Sequence, residues 1–82
     1  MASSRNPLKT ESTPEGLHLT PTVDLVASTV EGLRESFTKA LGRAKGSVVL
    51  DLTHVQQIDS LGITLVLGLF KSCQAQRLGF RI

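Results

Sequence analysis

The 82-residue sequence contains no tryptophan, no tyrosine, three phenylalanines and one cysteine. Stacking on nucleic-acid bases would have to rest on those three phenylalanines. The nine Lys and Arg residues are interleaved with seven Asp and Glu to a net charge of +2. A charge so mild and so mixed forms no basic stripe, which excludes a nucleic-acid surface. Cys73 has no second cysteine to pair with, so there is no internal disulfide; it falls on the apolar arc of a predicted helix, as a small buried hydrophobe would. Long apolar runs are missing too. Unbroken ones reach only three residues, as in Leu65, Val66, Leu67, which extends to Phe70 only across Gly68, far short of a membrane span. The opening MASSRNPLKTESTPEG has no apolar core of the kind a signal peptide carries, and the cytoplasm is the expected location. His18 and His54 lie far apart, whereas metal binding needs clustered ligands. There is no P-loop and no Gly-x-Gly-x-x-Gly, so no cofactor is expected and any nucleotide would be held by a partner.

What remains has the size of one small domain, which buries only about 60% of its unfolded surface. Residues 1–7 read as a disordered tail and 8–82 as the domain. Leu8 to Ser12 and Leu17 to Thr20 are weakly alternating runs turned by Thr13, Pro14, Glu15 and Gly16, a hairpin pattern. Pro21 is expected to end the pairing because it brings no N–H to a ladder. Ser28 with Glu31 fits a capping box. Val30, Leu33, Phe37, Ala40 and Leu41 then form one apolar stripe of a helix stopped by Gly42 or Gly46. Lys39, Arg43 and Lys45 crowd toward its C-terminal end, where the helix dipole favours positive charge.

The most informative stretch is Val48 to Phe70, VVLDLTHVQQIDSLGITLVLGLF. Ser47 to Leu52 is nearly continuous apolar and rich in β-branched residues, the pattern of a strand covered on both faces. Thr53 to Asp59 is too polar for core. From Ser60 the period becomes helical, with Leu61, Ile63, Leu65, Val66, Leu69, Phe70 and Cys73 recurring. Ser60 is therefore the expected N-cap, Gly62 sits in the first turn, and Gly79 after Leu78 is the expected C-terminal stop. The large apolar side chains of this helix cover roughly 200° of arc, wider than the ~100° stripe that core packing requires, so one face is left to be covered, by a missing part of the domain or by a partner. Phe80, Arg81 and Ile82 open another strand.

LDLTHVQQIDSLGITLVLGLFKSCQ resembles the STAS domain of anti-sigma-factor antagonists, whose signature is a strand ending in hydrophobic-Asp, a short connector, and Asp-Ser-x-Gly opening a helix: here Asp59, Ser60, Leu61, Gly62. A second family segment, Gly-Glu-Leu-Asp, would fall on Pro21 to Asp24, where only the aspartate matches. The resemblance implies an α/β fold, with a mostly parallel or mixed central sheet and helices packed on it. It also implies a further helix, strand and terminal helix after Ile82, so that the domain is expected to be incomplete at its C-terminal end. The implied function is that of a non-enzymatic signalling adaptor. Its partners would be an anti-sigma factor or related serine kinase and a phosphatase, and Ser60 matches the serine that is phosphorylated. The alternative is a STAS-like structural docking module in a larger complex without a phosphate cycle.

Each site residue has two readings. Ser60 is a helix cap or a phosphate acceptor; a phosphate would bring about −1.5 to −2 charges to a helix N-terminus, where free N–H groups can receive it. Asp59, and Asp24 if it lies nearby, would repel that phosphate, or Asp59 simply complements the helix dipole. Gly62 admits a partner's backbone or has no such task. With Leu61 and Ile63, these residues form the expected partner-binding set. Asp59-Ser60-Leu61 also resembles the Asp-Ser-Leu of GDSL hydrolases, but Ile58 stands where glycine should and no histidine follows to act as base.

Overall fold

A computed structural model describes residues 7–82. Apart from Pro7, the tail expected over residues 1–7 lies outside the described residues. Four strands and two helices follow in the order β1 (Leu8–Thr13), β2 (Gly16–Pro21), α1 (Val30–Leu41), β3 (Ser47–Leu50), α2 (Ser60–Ala75) and β4 (Gly79–Arg81). The strands form one mixed sheet in the order β1-β2-β3-β4. The first pair is antiparallel and the other two are parallel.

The hairpin forms because Gly16 takes φ +141°, a conformation that side-chain-bearing residues rarely adopt. A Cβ there would also collide with the Ser47 backbone at the start of β3. The ladder runs further than expected, to Leu8 opposite Pro21. Pro21 fits because the bond closing the ladder comes from the Thr22 N–H to the Pro7 carbonyl, 2.9 Å, so β1 asks nothing of the missing proline N–H.

The parallel strands need crossovers, and α1 and α2 supply them. Both cover the same face, because the chain steps across the sheet in one direction and crossovers share one hand. Burial confirms it: Leu17 and Leu19 on β2 and Val48 and Leu50 on β3 are buried, while His18, Thr20 and Val49 between them are half-buried. The two-sided cover expected for β3 is thus one-sided among the described residues. Against this face α1 lays its full predicted stripe, Val30, Leu33, Phe37, Ala40 and Leu41, and α2 lays Leu65, Leu69 and Cys73. At ~25 cal/mol per Å² of apolar surface removed from water, this layer is the main source of stability.

The helix ends differ from expectation. Thr29, not Ser28, precedes α1. Its hydroxyl donates to the Asp24 and Val26 carbonyls and accepts the Val26 N–H, so it shapes the turn before the helix instead of capping it. Glu31, free of a capping box, pairs with Arg34 at 2.9 Å. α2 stops at Ala75 instead of Leu78, because Arg77 itself takes a left-handed φ of 59°. The Leu78 N–H then reaches the Cys73 carbonyl at 2.8 Å and the Arg77 N–H the Gln74 carbonyl at 3.1 Å, a Schellman motif without glycine. Gly79 is released to begin β4.

Candidate functional site: two loops stapled at the start of the second long helix

The connections β2–α1 and β3–α2 both leave the C-terminal ends of parallel strands, so they emerge side by side. Backbone bonds join them first. The Leu25 N–H donates to the Gln57 carbonyl at 3.0 Å and the Asp59 N–H to the Leu25 carbonyl at 3.1 Å, a short parallel bridge that extends the β2–β3 pairing past the strands.

Two carboxylates then tie the loops reciprocally. Asp24 Oδ1, on the first loop, accepts the Gln56 N–H at 2.8 Å and the Gln57 N–H at 3.3 Å on the second. Asp59, on the second loop, reaches back: its Oδ2 accepts the Ala27 N–H at 2.9 Å and its Oδ1 the Gly62 N–H at 2.9 Å. Asp59 is therefore the N-cap of α2, and Ser60, expected in that role, is the first residue inside the helix. The aspartate wins the position because extended backbone at residue 59 lets its side chain fold over the N–H three residues on. The Gly62 N–H bond holds the Asp59 carboxyl below its ordinary range, with the Ala27 N–H adding to the effect. The Asp51 carboxyl is lowered too, chiefly by the Thr53 hydroxyl and then by the Thr53 N–H.

Gly62 is buried at this joint. A Cβ built on it would overlap the Leu25 carbonyl and come within 2.8 Å of the Leu25 side chain. The close approach that Gly62 permits is thus made inside the chain, by Leu25, and not by an outside backbone. Leu61 and Ile63, on either side of it, point outward at 49% and 54% exposure. Ser60 is exposed at the rim, and one turn below it the Thr64 hydroxyl donates to the Ser60 carbonyl at 3.0 Å. The structure accordingly brings Asp24, Asp59, Ser60 and Gly62 to one end of α2, with the two aspartates turned into the joint and the serine turned to solvent.

The loop partners of these residues escaped the sequence. Leu25, fully buried, and Ala27, Gln56 and Gln57 act through backbone groups, which no residue type signals. His54 stands exposed on the second loop, and the described residues hold no group of three His, Cys, Asp or Glu able to bind a metal ion. Cys73 is buried, and burial pushes its thiol upward.

The family model described as STAS domain matches residues 7–82. A solved structure described as "Crystal Structure Analysis of Mglu" superposes with a TM-score of 0.74 at 22% sequence identity, over 89% of this chain and 18% of that one. The likeness is one of fold, and the present chain spans less than a fifth of that chain's length, 18%. No curated protein matches.

Proposed function

This chain belongs to the STAS domain family, and from that premise we propose that it is a non-enzymatic binding module of the anti-sigma-factor antagonist type, whose docking is gated by phosphorylation of Ser60. The supporting observation is the exposed Ser60 hydroxyl on the first residue of α2, set beside a cap already filled by Asp59. A kinase can reach such a hydroxyl without opening the fold. The phosphate would bring about −1.5 to −2 charges. Because Asp59 holds the Gly62 N–H, the new anion must project outward, where it meets an arriving partner instead of being absorbed by the cap. A partner shaped for a neutral serine would have to desolvate a dianion beside a carboxylate, and it is rejected. The loops are tied by several independent bonds, so the switch is one of surface charge on a fixed platform.

The partners on this account are an anti-sigma factor or related serine kinase that binds unmodified Ser60 and a phosphatase that restores it, in the cytoplasm. Asp24 and Asp59 build the platform, while Ser60, Leu61 and Ile63 face the partner. A second reading, a docking module with no phosphate cycle, draws on Leu67 and Phe70. These apolar side chains are 53% and 40% exposed farther along α2 and would serve a permanent assembly equally well. Incubation with ATP and the cognate kinase, followed by mass spectrometry, separates the two. Modification at Ser60 is expected; a bare Ser60, together with a Ser60→Asp variant that binds its partner like the wild type, would leave the docking module.

A further inference from the structure

The sheet order leaves β1 with no strand on its outer side among the described residues. At six residues it equals β2 as the longest strand, and it carries neither a bulge nor an internal proline, two devices by which sheets blunt an edge. The direction of its backbone groups follows from the hairpin register. The Thr22 N–H donates to the Pro7 carbonyl at 2.9 Å, so the bonded pairs of the ladder fall on alternate residues from there, Lys9 with Thr20 and Glu11 with His18. Thr10, between them, turns its N–H and C=O away from β2, and Ser12 does the same. Both are exposed although they share the helix side of the sheet with buried Leu8, so α1 does not close over this edge.

Charge selects the strand that fits there. Lys9 and Glu11 stand two residues apart on the uncovered face, both exposed. A lysine alone on an edge repels a second strand, but here an opposite charge follows it and β1 becomes complementary to itself. Laid antiparallel to a copy of itself about Thr10, β1 sets Lys9 opposite Glu11 twice and threonine opposite threonine, all of them favourable cross-strand pairs. The outward N–H and C=O of Thr10 are then exchanged with those of the copy. A slip of two residues is the smallest that keeps faces and bonds aligned, and it sets Lys9 against Lys9 in one direction and Glu11 against Glu11 in the other. Like charges therefore exclude the neighbouring registers.

We propose that β1 is a self-pairing edge, through which two copies of this chain join antiparallel about a two-fold axis at Thr10 into one continuous sheet. Such an interface presents the same patch on both copies, so it closes at the dimer and uses up the edge. β2 and β3 of one copy run against those of the other, which places the two Ser60 sites at opposite ends of the joined sheet, each open to a partner. The pairing neither needs the serine gate nor blocks it.

The full chain is followed by sedimentation equilibrium up to about 1 mM, since an interface of one strand is small and its affinity low. A monomer–dimer equilibrium is expected, with hydrogen exchange at the Thr10 amide slowing as concentration rises. Lys9→Glu and Glu11→Lys, each alone, put like charges opposite one another and should weaken self-association about tenfold. An equimolar mixture of these two variants should pair at wild-type strength, because each copy again faces its opposite charge. Thr10→Pro removes the outward N–H and leaves the β1–β2 ladder its own bonds, so the fold, checked by circular dichroism, survives while the dimer is lost. Should that variant unfold, the charge mixture decides, because it leaves the backbone untouched. The proposal is overturned if the chain stays monomeric at that concentration, if the charge variants self-associate like the wild type, if their mixture pairs no better than either alone, or if the dimer survives a folded Thr10→Pro.

Discussion

Glycines at two positions of one helix predict opposite outcomes. Gly62 faces the Leu25 carbonyl with no room for a Cβ, so Gly62→Ala forces backbone apart and should cost about 1–3 kcal/mol, read as a lower Tm. Gly68 faces open space, so Gly68→Ala should stabilise by about 1 kcal/mol through helix propensity alone. Asp59 adds a pH dependence. Its carboxyl is lowered by the N–H groups it accepts, so its contribution to stability is present above the unfolded carboxyl value of about 3.9 and is lost as pH falls through the lower folded value. Asp59→Asn should therefore flatten acid unfolding in that window and speed hydrogen exchange at the Ala27 amide. A variant that unfolds in acid like the wild type would show that the tie contributes nothing. That a helix starts at Asp59-Ser60-Leu61-Gly62 was legible in that short motif, whereas the choice of Asp59 over Ser60 as its cap was not, because either side chain can accept a first-turn N–H. The bond from Asp59 to Ala27 was not, because it spans 32 positions and uses a backbone donor.

At the scale of the element, α2 divides its apolar side chains between the core and the surface. One face buries Leu65, Leu69 and Cys73; the rest exposes Leu61, Ile63, Leu67 and Phe70. The excess apolar arc was visible in the sequence, and the structure locates it away from the core. Substituting Leu61 or Ile63 by serine should change stability by no more than about 0.5 kcal/mol, as expected for surface positions, while weakening partner capture in a pull-down. Equal capture would mean the outward face of α2 is not the docking face. The helix ends were less legible than the stripes. A stripe is written in residue types every third or fourth position, whereas Thr29 was passed over for Ser28 because both are good cap residues. Arg77 takes the left-handed conformation for which Gly79, two residues on, is the better residue type.

Across the described residues as a whole, one helical layer on one face of a four-stranded sheet leaves little core to lose. Leu50 and Leu19 are fully buried at its centre, and Leu50→Ala should cost about 2–5 kcal/mol against the 5–15 kcal/mol typical of a domain, enough to unfold much of the population at 37 °C by circular dichroism. The α/β class and the mixed sheet followed from periodicity and the family signature, because crossover helices leave alternate patterns in the chain. That β3 is open on one side did not follow, since Val48, Val49 and Leu50 are all apolar and only the direction of the crossovers decides which of them is covered. That same geometry places both strand-to-helix loops at one end, where Asp24 and Asp59 can fasten them.

The central claim is that Ser60 on this fixed platform is a gate closed by charge. The measurement that tests it most directly is the affinity of the natural partner for the unmodified chain, for the chain phosphorylated at Ser60, and for Ser60→Ala, with ¹⁵N spectra recorded for each. The account predicts affinity reduced by about tenfold or more on phosphorylation, unchanged in Ser60→Ala, and amide shifts confined to the first turn of α2 and the two loops. Equal affinity for the phosphorylated and unmodified chains, or shifts spread through the sheet, would contradict it.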